Sequence, residues 1–282
     1  VVLLTALAAV VTACGGGSEA APGASTGTPT STVESVASGP DRAVATETTV
    51  ASDPADDDVT RVLFAGDSLM QEIHPTMAAA LGDSAETRFL LSPRLIRDDA
   101  EKLIWQATLD DFQPDVVVVI FSHWERLVLG AQTAEDVEDV DAYADLVALP
   151  FAEFVADNGA AVVWLSAPPL SDERITAVYA VMNVAYRSAT AAARDARFVD
   201  LGPTLTDATG AYAESLTNAL GVVERVRRTD GAHLCPDGAV RVAEAVLAPL
   251  AEVAGTTTAP DWQNGDWRTE APFDKPDECP AL

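Results

Sequence analysis

The chain has 282 residues, enough for one large domain or two small ones, and carries 44 acidic residues against 17 Lys plus Arg, a formal net charge of −27. No stretch clusters Lys and Arg, which excludes the phosphate-neutralising surface that nucleic-acid binding needs. The acidity is read as a solvated, self-repelling surface that favours solubility and selects no particular substrate.

Residues 1–14, VVLLTALAAVVTAC, are apolar and uncharged. They fall short of the roughly 18–20 residues a membrane-spanning helix requires, and fit the h-region of an export signal. The basic n-region and an initiator Met are missing, so the sequence is read as starting inside its own signal. Val11-Thr12-Ala13-Cys14 resembles a bacterial lipobox, in which Cys14 is lipidated and anchors the mature chain to the cell membrane. Residues 15–58, rich in Gly, Ser, Thr, Pro and Ala without apolar periodicity, read as a disordered tether.

From Val59 onward, apolar runs alternate with helical segments. The runs are RVLFAG (61–66), TRFLLS (87–92), DVVVVIF (115–121), AAVVWLS (160–166) and RFVDLG (197–202). Helices are expected near 68–81, 97–111, 141–157, 174–194 and 238–253. A run such as VVVVI is apolar at successive positions, as in a strand covered on both faces. This alternation predicts, over 59–255, a three-layer α/β/α domain with a doubly wound, flavodoxin-like parallel sheet of five strands. Ligands of such sheets bind at the carboxyl ends of the strands. The tail, 256–282, is Pro-rich and spaces Trp262, Trp267 and Phe273 through it; these aromatics are expected to pack on the domain.

Of the Cys residues, lipidation of Cys14 leaves Cys235 and Cys279 as a possible disulfide, natural outside the cytoplasm. The alternative is two free thiols. A bond would pin the tail to the segment that holds His233.

Gly66-Asp67-Ser68 follows the first expected strand. A serine there sits near a helix N-terminus, where negative charge is favoured, which suits a nucleophilic oxygen and an oxyanion. Ser and Asp are also ordinary helix caps, so the tripeptide alone decides nothing. A second stretch, TDGAHLCPDGAV (229–240), sets Asp230 three positions before His233. It supplies the base a serine needs and the acid that orients the base. No short His/Cys spacing signals zinc and no GxxxxGK[ST] loop is present, so no metal or cofactor is called for.

Strand-GDSL, several βα units, and DxxH before the last helix together resemble the SGNH hydrolase superfamily, also called GDSL esterases and lipases. The resemblance covers about 59–255. It implies Ser68 as nucleophile, His233 as base and Asp230 as orienting acid, with an oxyanion hole completed by a Gly and an Asn from two further loops. Here those loops read SPRL (92–95) and FSHWER (121–126), setting Arg94 near the Gly position and Ser122 and Trp124 near the Gly and Asn of the usual GxND. The Arg94 amide and the Trp124 indole N–H are the expected replacements. SGNH domains of cell-envelope acyltransferases also tend to replace that Asn. Glu125 and Arg126 read as a solvated pair at a strand end. Functionally, Arg94 would hold an anionic group of a glycan and Glu125 a sugar hydroxyl.

The sequence is therefore read as an exported, lipid-anchored serine esterase, monomeric, acting on an acylated glycan or a small ester. The alternatives are an O-acyltransferase with the same residues, a binding protein of the same fold with weak catalysis, and a purely structural lipoprotein.

Overall fold

Strands covered on both faces need helices on both sides, and that requirement sets the architecture. The computed structural model describes residues 59–91, 94–137 and 139–282. The signal-like segment with Cys14, the linker 15–58, and Ser92 and Pro93 of the SPRL loop lie outside the described residues. β1 (Thr60–Gly66), β2 (Ala85–Leu91), β3 (Val116–Ile120), β4 (Ala161–Leu165) and β5 (Ala196–Val199) form one parallel sheet in the order β2-β1-β3-β4-β5. The expected five-stranded, three-layer α/β/α arrangement is the one observed.

Successive strand residues point to opposite faces, and each face has its own core. Val62, Phe64, Val118, Ile120, Val163 and Leu165 are buried with α1 (Ser68–Leu81) on one side. Leu63, Ala65, Val117, Val119, Val162 and Trp164 are buried on the other, against α2 (Asp99–Phe112). Beyond β3 the chain continues through α3 (His123–Leu129), α4 (Val140–Tyr143), a π-helical segment (Ala144–Ala148) and α5 (Leu149–Asp157). α6 (Glu173–Ala192) and α7 (Gly202–Leu205) follow, then an antiparallel hairpin of β6 (Ser215–Thr217) and β7 (Val223–Arg225), and α8 (Pro236–Ala254).

Three differences from expectation have local causes. The helix expected over 141–157 is interrupted, and its widened segment lies just before Pro150, which has no N–H to offer the preceding turn. The loop FSHWER is not a loop beyond Ser122: β3 stops at Ile120 and α3 begins at His123. The hairpin of β6 and β7 was not anticipated, its strands being too short to show an alternation. In the tail, Trp262, Trp267 and Phe273 are buried in the same core cluster as α1 and α8. Among the described residues no helix is long and apolar enough to cross a membrane.

The switch in strand order puts a crevice between the carboxyl ends of β1 and β3. Gly66 pairs with Ile120 there, so the turns after the two strands face one another.

On α1, His74 stacks on Phe89 with ring centroids 5.6 Å apart and meets the Thr87 hydroxyl at 3.3 Å. Burial pushes its imidazole down to about 4 from 6.5. Unfolding therefore takes up a proton between these values. The stability concerned is fully present above about pH 6.5 and lost as pH falls toward 4, a loss of roughly 3 kcal/mol. His74→Phe keeps the stack without the titration, and should flatten the pH dependence of urea-unfolding free energy in this window. An unchanged slope would show that His74 does not drive it.

Candidate active site

The sharp turn from β1 into α1 builds the first half of the site. A Cβ on Gly66 would lie 2.7 Å from both Ile120 Cγ2 and the Ile120 carbonyl, so only glycine lets this turn lie so close to β3. Asp67, not Ser68, is the helix cap: its Oδ1 accepts the Leu69 N–H at 3.1 Å. Its Oδ2 accepts the Ser122 hydroxyl and, at 2.9 Å, the His123 N–H. One buried carboxylate thus ties the end of β1 to the end of β3. Ser68 is left as the first residue of α1, its side chain free of capping duty and partly exposed.

The loop before α8 builds the second half. Asp230 Oδ1 accepts the backbone N–H groups of Ala232 at 2.9 Å and His233 at 3.0 Å. Asp230 Oδ2 lies 2.6 Å from His233 Nδ1, and His233 Nε2 lies 2.8 Å from Ser68 Oγ. With Nδ1–H donating a hydrogen bond to the carboxylate, Nε2 presents its lone pair to the serine hydroxyl. Burial alone would raise the Asp230 pKa, but the bonds from Ala232 N–H and from the His233 ring and amide hold it below the usual carboxylate range. Gly231 makes the turn possible, with φ of +73° and no room for a Cβ, which would lie 2.0 Å from Ser171 Oγ.

Residues outside the sequence reading hold this loop in place. Arg227 and Arg228 are buried. Arg227 donates to the carbonyls of Ala232 at 2.7 Å and Pro169 at 2.9 Å, and burial pushes its guanidinium down to about 10. Arg228 donates to the carbonyls of Leu234 at 3.1 Å and Pro272 at 2.8 Å, and pairs with Glu278 at 2.6 Å and Glu72 at 2.7 Å. Burial pushes the Glu72 carboxyl up to about 7, against the lowering effects of the Leu234 N–H and Arg228. The Cys235–Cys279 disulfide is formed, with Cα atoms 5.7 Å apart, and sets Glu278 beside the loop, where its carbonyl accepts the Thr229 N–H at 3.0 Å. The available signals were the Arg-Arg pair just before Thr229-Asp230 and a lone carboxylate, Glu72, on the apolar face of α1.

The expected oxyanion and substrate residues fare differently. Arg94 is exposed; its Nε pairs with Glu101 at 3.1 Å, and its carbonyl accepts the Trp105 indole N–H at 2.9 Å. Trp124 is 49% exposed and meets His123 edge-to-face at 5.7 Å. Glu125 is corrected: it is 1% exposed, accepts the Tyr143 hydroxyl at 2.6 Å and pairs with Arg97. Arg126 is buried too and donates to the Ala131 carbonyl at 2.9 Å. The reason is the early start of α3, whose helical period turns these residues inward. Glu125 is therefore no sugar ligand, and among the described residues no group of three or more His, Cys, Asp or Glu side chains is placed to hold a metal ion. His123 is exposed, its imidazole held below the usual value by partial burial and then by the Arg126 charge.

A cavity of about 700 Å³ lies away from this chemistry, between β7, the start of α8 and the tail. Both arginines of its lining are already paired, Arg225 with Glu214 and Arg268 with Asp237.

A family model described as a protein of unknown function (DUF459) matches residues 61–249. No curated protein matches the chain. Among solved structures, the chain is similar to a GDSL-like lipase from Bacteroides thetaiotaomicron VPI-5482 at 16% identity, covering 68% of this chain and 88% of that one with a TM-score of 0.45. It is similar to an acetylxylan esterase from Geobacillus stearothermophilus at 12% identity, covering 74% and 95% with a TM-score of 0.47. The catalytic domain of peptidoglycan O-acetyltransferase A from Streptococcus pneumoniae is 13% identical, covering 71% and 97% with a TM-score of 0.41.

Because Glu125 is buried and accepts the buried Tyr143 hydroxyl, its removal leaves that hydroxyl without this acceptor, while Arg97 stays within reach of water. Glu125→Ala should lower unfolding free energy by about 1–3 kcal/mol in chemical denaturation. A loss below about 1 kcal/mol would return Glu125 to the surface role read from the sequence.

Proposed function

The chain belongs to the DUF459 family, and from the geometry of its site we propose that it is a serine-dependent esterase or acyltransferase of the SGNH type. One observation carries this reading: the relay from Ser68 through His233 to Asp230, with contacts of 2.8 and 2.6 Å. His233 Nε2 takes the proton of Ser68 as Oγ attacks an ester carbonyl, and Asp230 steadies the imidazolium. Collapse of the tetrahedral intermediate expels the alcohol, which takes that proton back from His233. The acyl-serine is then resolved by water, or by a sugar hydroxyl in an acyl transfer, with His233 again as base.

The oxyanion is assigned to the Ser68 amide at the start of α1, with the Arg94 amide and the Trp124 indole N–H as further donors. The Ser122 hydroxyl and the His123 amide are already given to Asp67, so fewer donors remain at the end of β3. That favours slow turnover, since one missing donor costs about 10²–10³ in rate. It is also the observation that supports the second reading, a glycan-binding protein with residual catalysis.

The substrate is proposed to be an O-acylated glycan or other ester outside the cytoplasm. The lipobox-like Val11–Cys14 supports a lipid-anchored location, and the Cys235–Cys279 bond fits an oxidising compartment. Exposed Arg94 and Trp124 are the proposed contacts to an anionic group and to a sugar face.

The test is covalent labelling with a fluorophosphonate, read by intact mass. Wild type should gain one adduct that is lost in Ser68→Ala, and Asp230→Asn should lower kcat by about 10⁴. Trp124→Ala should lower kcat by about 10²–10³ if its indole serves the oxyanion. Folded wild-type protein that takes no adduct, while a known serine esterase labels in parallel, would leave the binding protein as the better reading.

A further inference from the structure

Glu72 is the one carboxylate that α1 turns into the core beside Leu69, Met70, Ile73 and Met77, and it is 2% exposed. It lies one helical turn beyond Ser68, and helix side chains lean toward the N-terminus, so it points back toward the turn that carries the serine. Its two oxygens are each committed. Oε2 accepts the Leu234 N–H at 2.6 Å and Oε1 pairs with Arg228 Nη2 at 2.7 Å.

Both partners belong to the loop of the base. Leu234 is the residue after His233. Arg228 gives its own N–H to the His233 carbonyl at 2.9 Å and its Nε to the Leu234 carbonyl at 3.1 Å. The peptide groups on either side of Leu234 are therefore tied, directly or through Arg228, to the helix of Ser68. A buried ion pair seldom stabilises a core more than apolar side chains of similar size would. A charge kept here, at the junction of these two segments, is better explained by the geometry it imposes. Both partners are donors, so the position calls for a carboxylate; a glutamine would turn an N–H toward one of them.

We propose that Glu72 is a positioning residue, whose carboxylate fixes the His233 backbone so that the imidazole meets the Ser68 hydroxyl. The proposal rests on the reading of Ser68 as a nucleophile.

The test compares wild type, Glu72→Gln and Glu72→Asp in the full disulfide-bonded chain, with folding checked by circular dichroism. Glu72→Gln should react with a fluorophosphonate about 10- to 100-fold more slowly. It should lower kcat for para-nitrophenyl acetate to the same extent with KM within about twofold, and Glu72→Asp should recover part of the loss. Folded Glu72→Gln reacting at the wild-type rate overturns the proposal. If it does not fold, Glu72→Leu with Arg228→Met, which leaves no buried charge and only the partly exposed Glu278 without its arginine, is read in the same way. If wild type itself takes no label, the hydrolase reading fails, and the His233 ring resonances decide on Glu72 alone. Ser68→Ala should shift those resonances in wild type and leave them unmoved in Glu72→Gln; equal shifts in both overturn it.

Discussion

The carboxylate of Asp67 joins the ends of two neighbouring strands, and the geometry of the site descends from that junction. It accepts the Leu69 amide on one side and the Ser122 hydroxyl and His123 amide on the other. The first bond sets where α1 begins, and with it the position of Ser68. The others set where the chain leaves β3 and enters α3. A buried charge without such donors would cost several kcal/mol, so the turns after β1 and β3 are held to each other. Gly66, which has no room for a side chain against Ile120, makes the approach sterically possible.

Around that junction the protein spends polar groups where an ordinary core would use apolar ones. Arg227 and Arg228 are buried and engage mostly backbone carbonyls, which organises a loop that has little regular structure of its own. The tail contributes the Pro272 carbonyl and both the carboxylate and the carbonyl of Glu278, held near by the disulfide. A segment that reads in the sequence as an appendix is thus part of the support of the His233 loop. The Arg227 Nε is a buried member of this network without a partner, and the bonds made by the others hold the loop rigid.

The sheet was legible because burial on both faces leaves runs such as VVVVI that no surface strand carries. The meeting of Ser68, Asp230 and His233 was legible because their residue types fall at fixed places relative to those runs. Glu72, Arg227 and Arg228 were not, because a charged residue shows its partner only after folding: the Glu72 bond to Leu234 spans 162 positions. Glu125 was misread for a related reason. His123-Trp124-Glu125-Arg126 has the composition of a solvated loop, and α3, only seven residues long, is too short to show a helical period. Whether its charges face water or the core depends on where β3 ends, which is settled by the contact with Asp67.

The distance in sequence between the parts of the site also orders its assembly in time. Ser68 and His233 are 165 residues apart, and Cys279 lies a further 44 residues beyond Cys235. A ribosome that has released the β1–α1 turn has yet to make the imidazole that would act on the serine hydroxyl. Until then that hydroxyl is an ordinary alcohol, as inert as any on the chain surface. On the proposed serine-esterase reading, reactivity waits on the order in which these parts of the chain are synthesised.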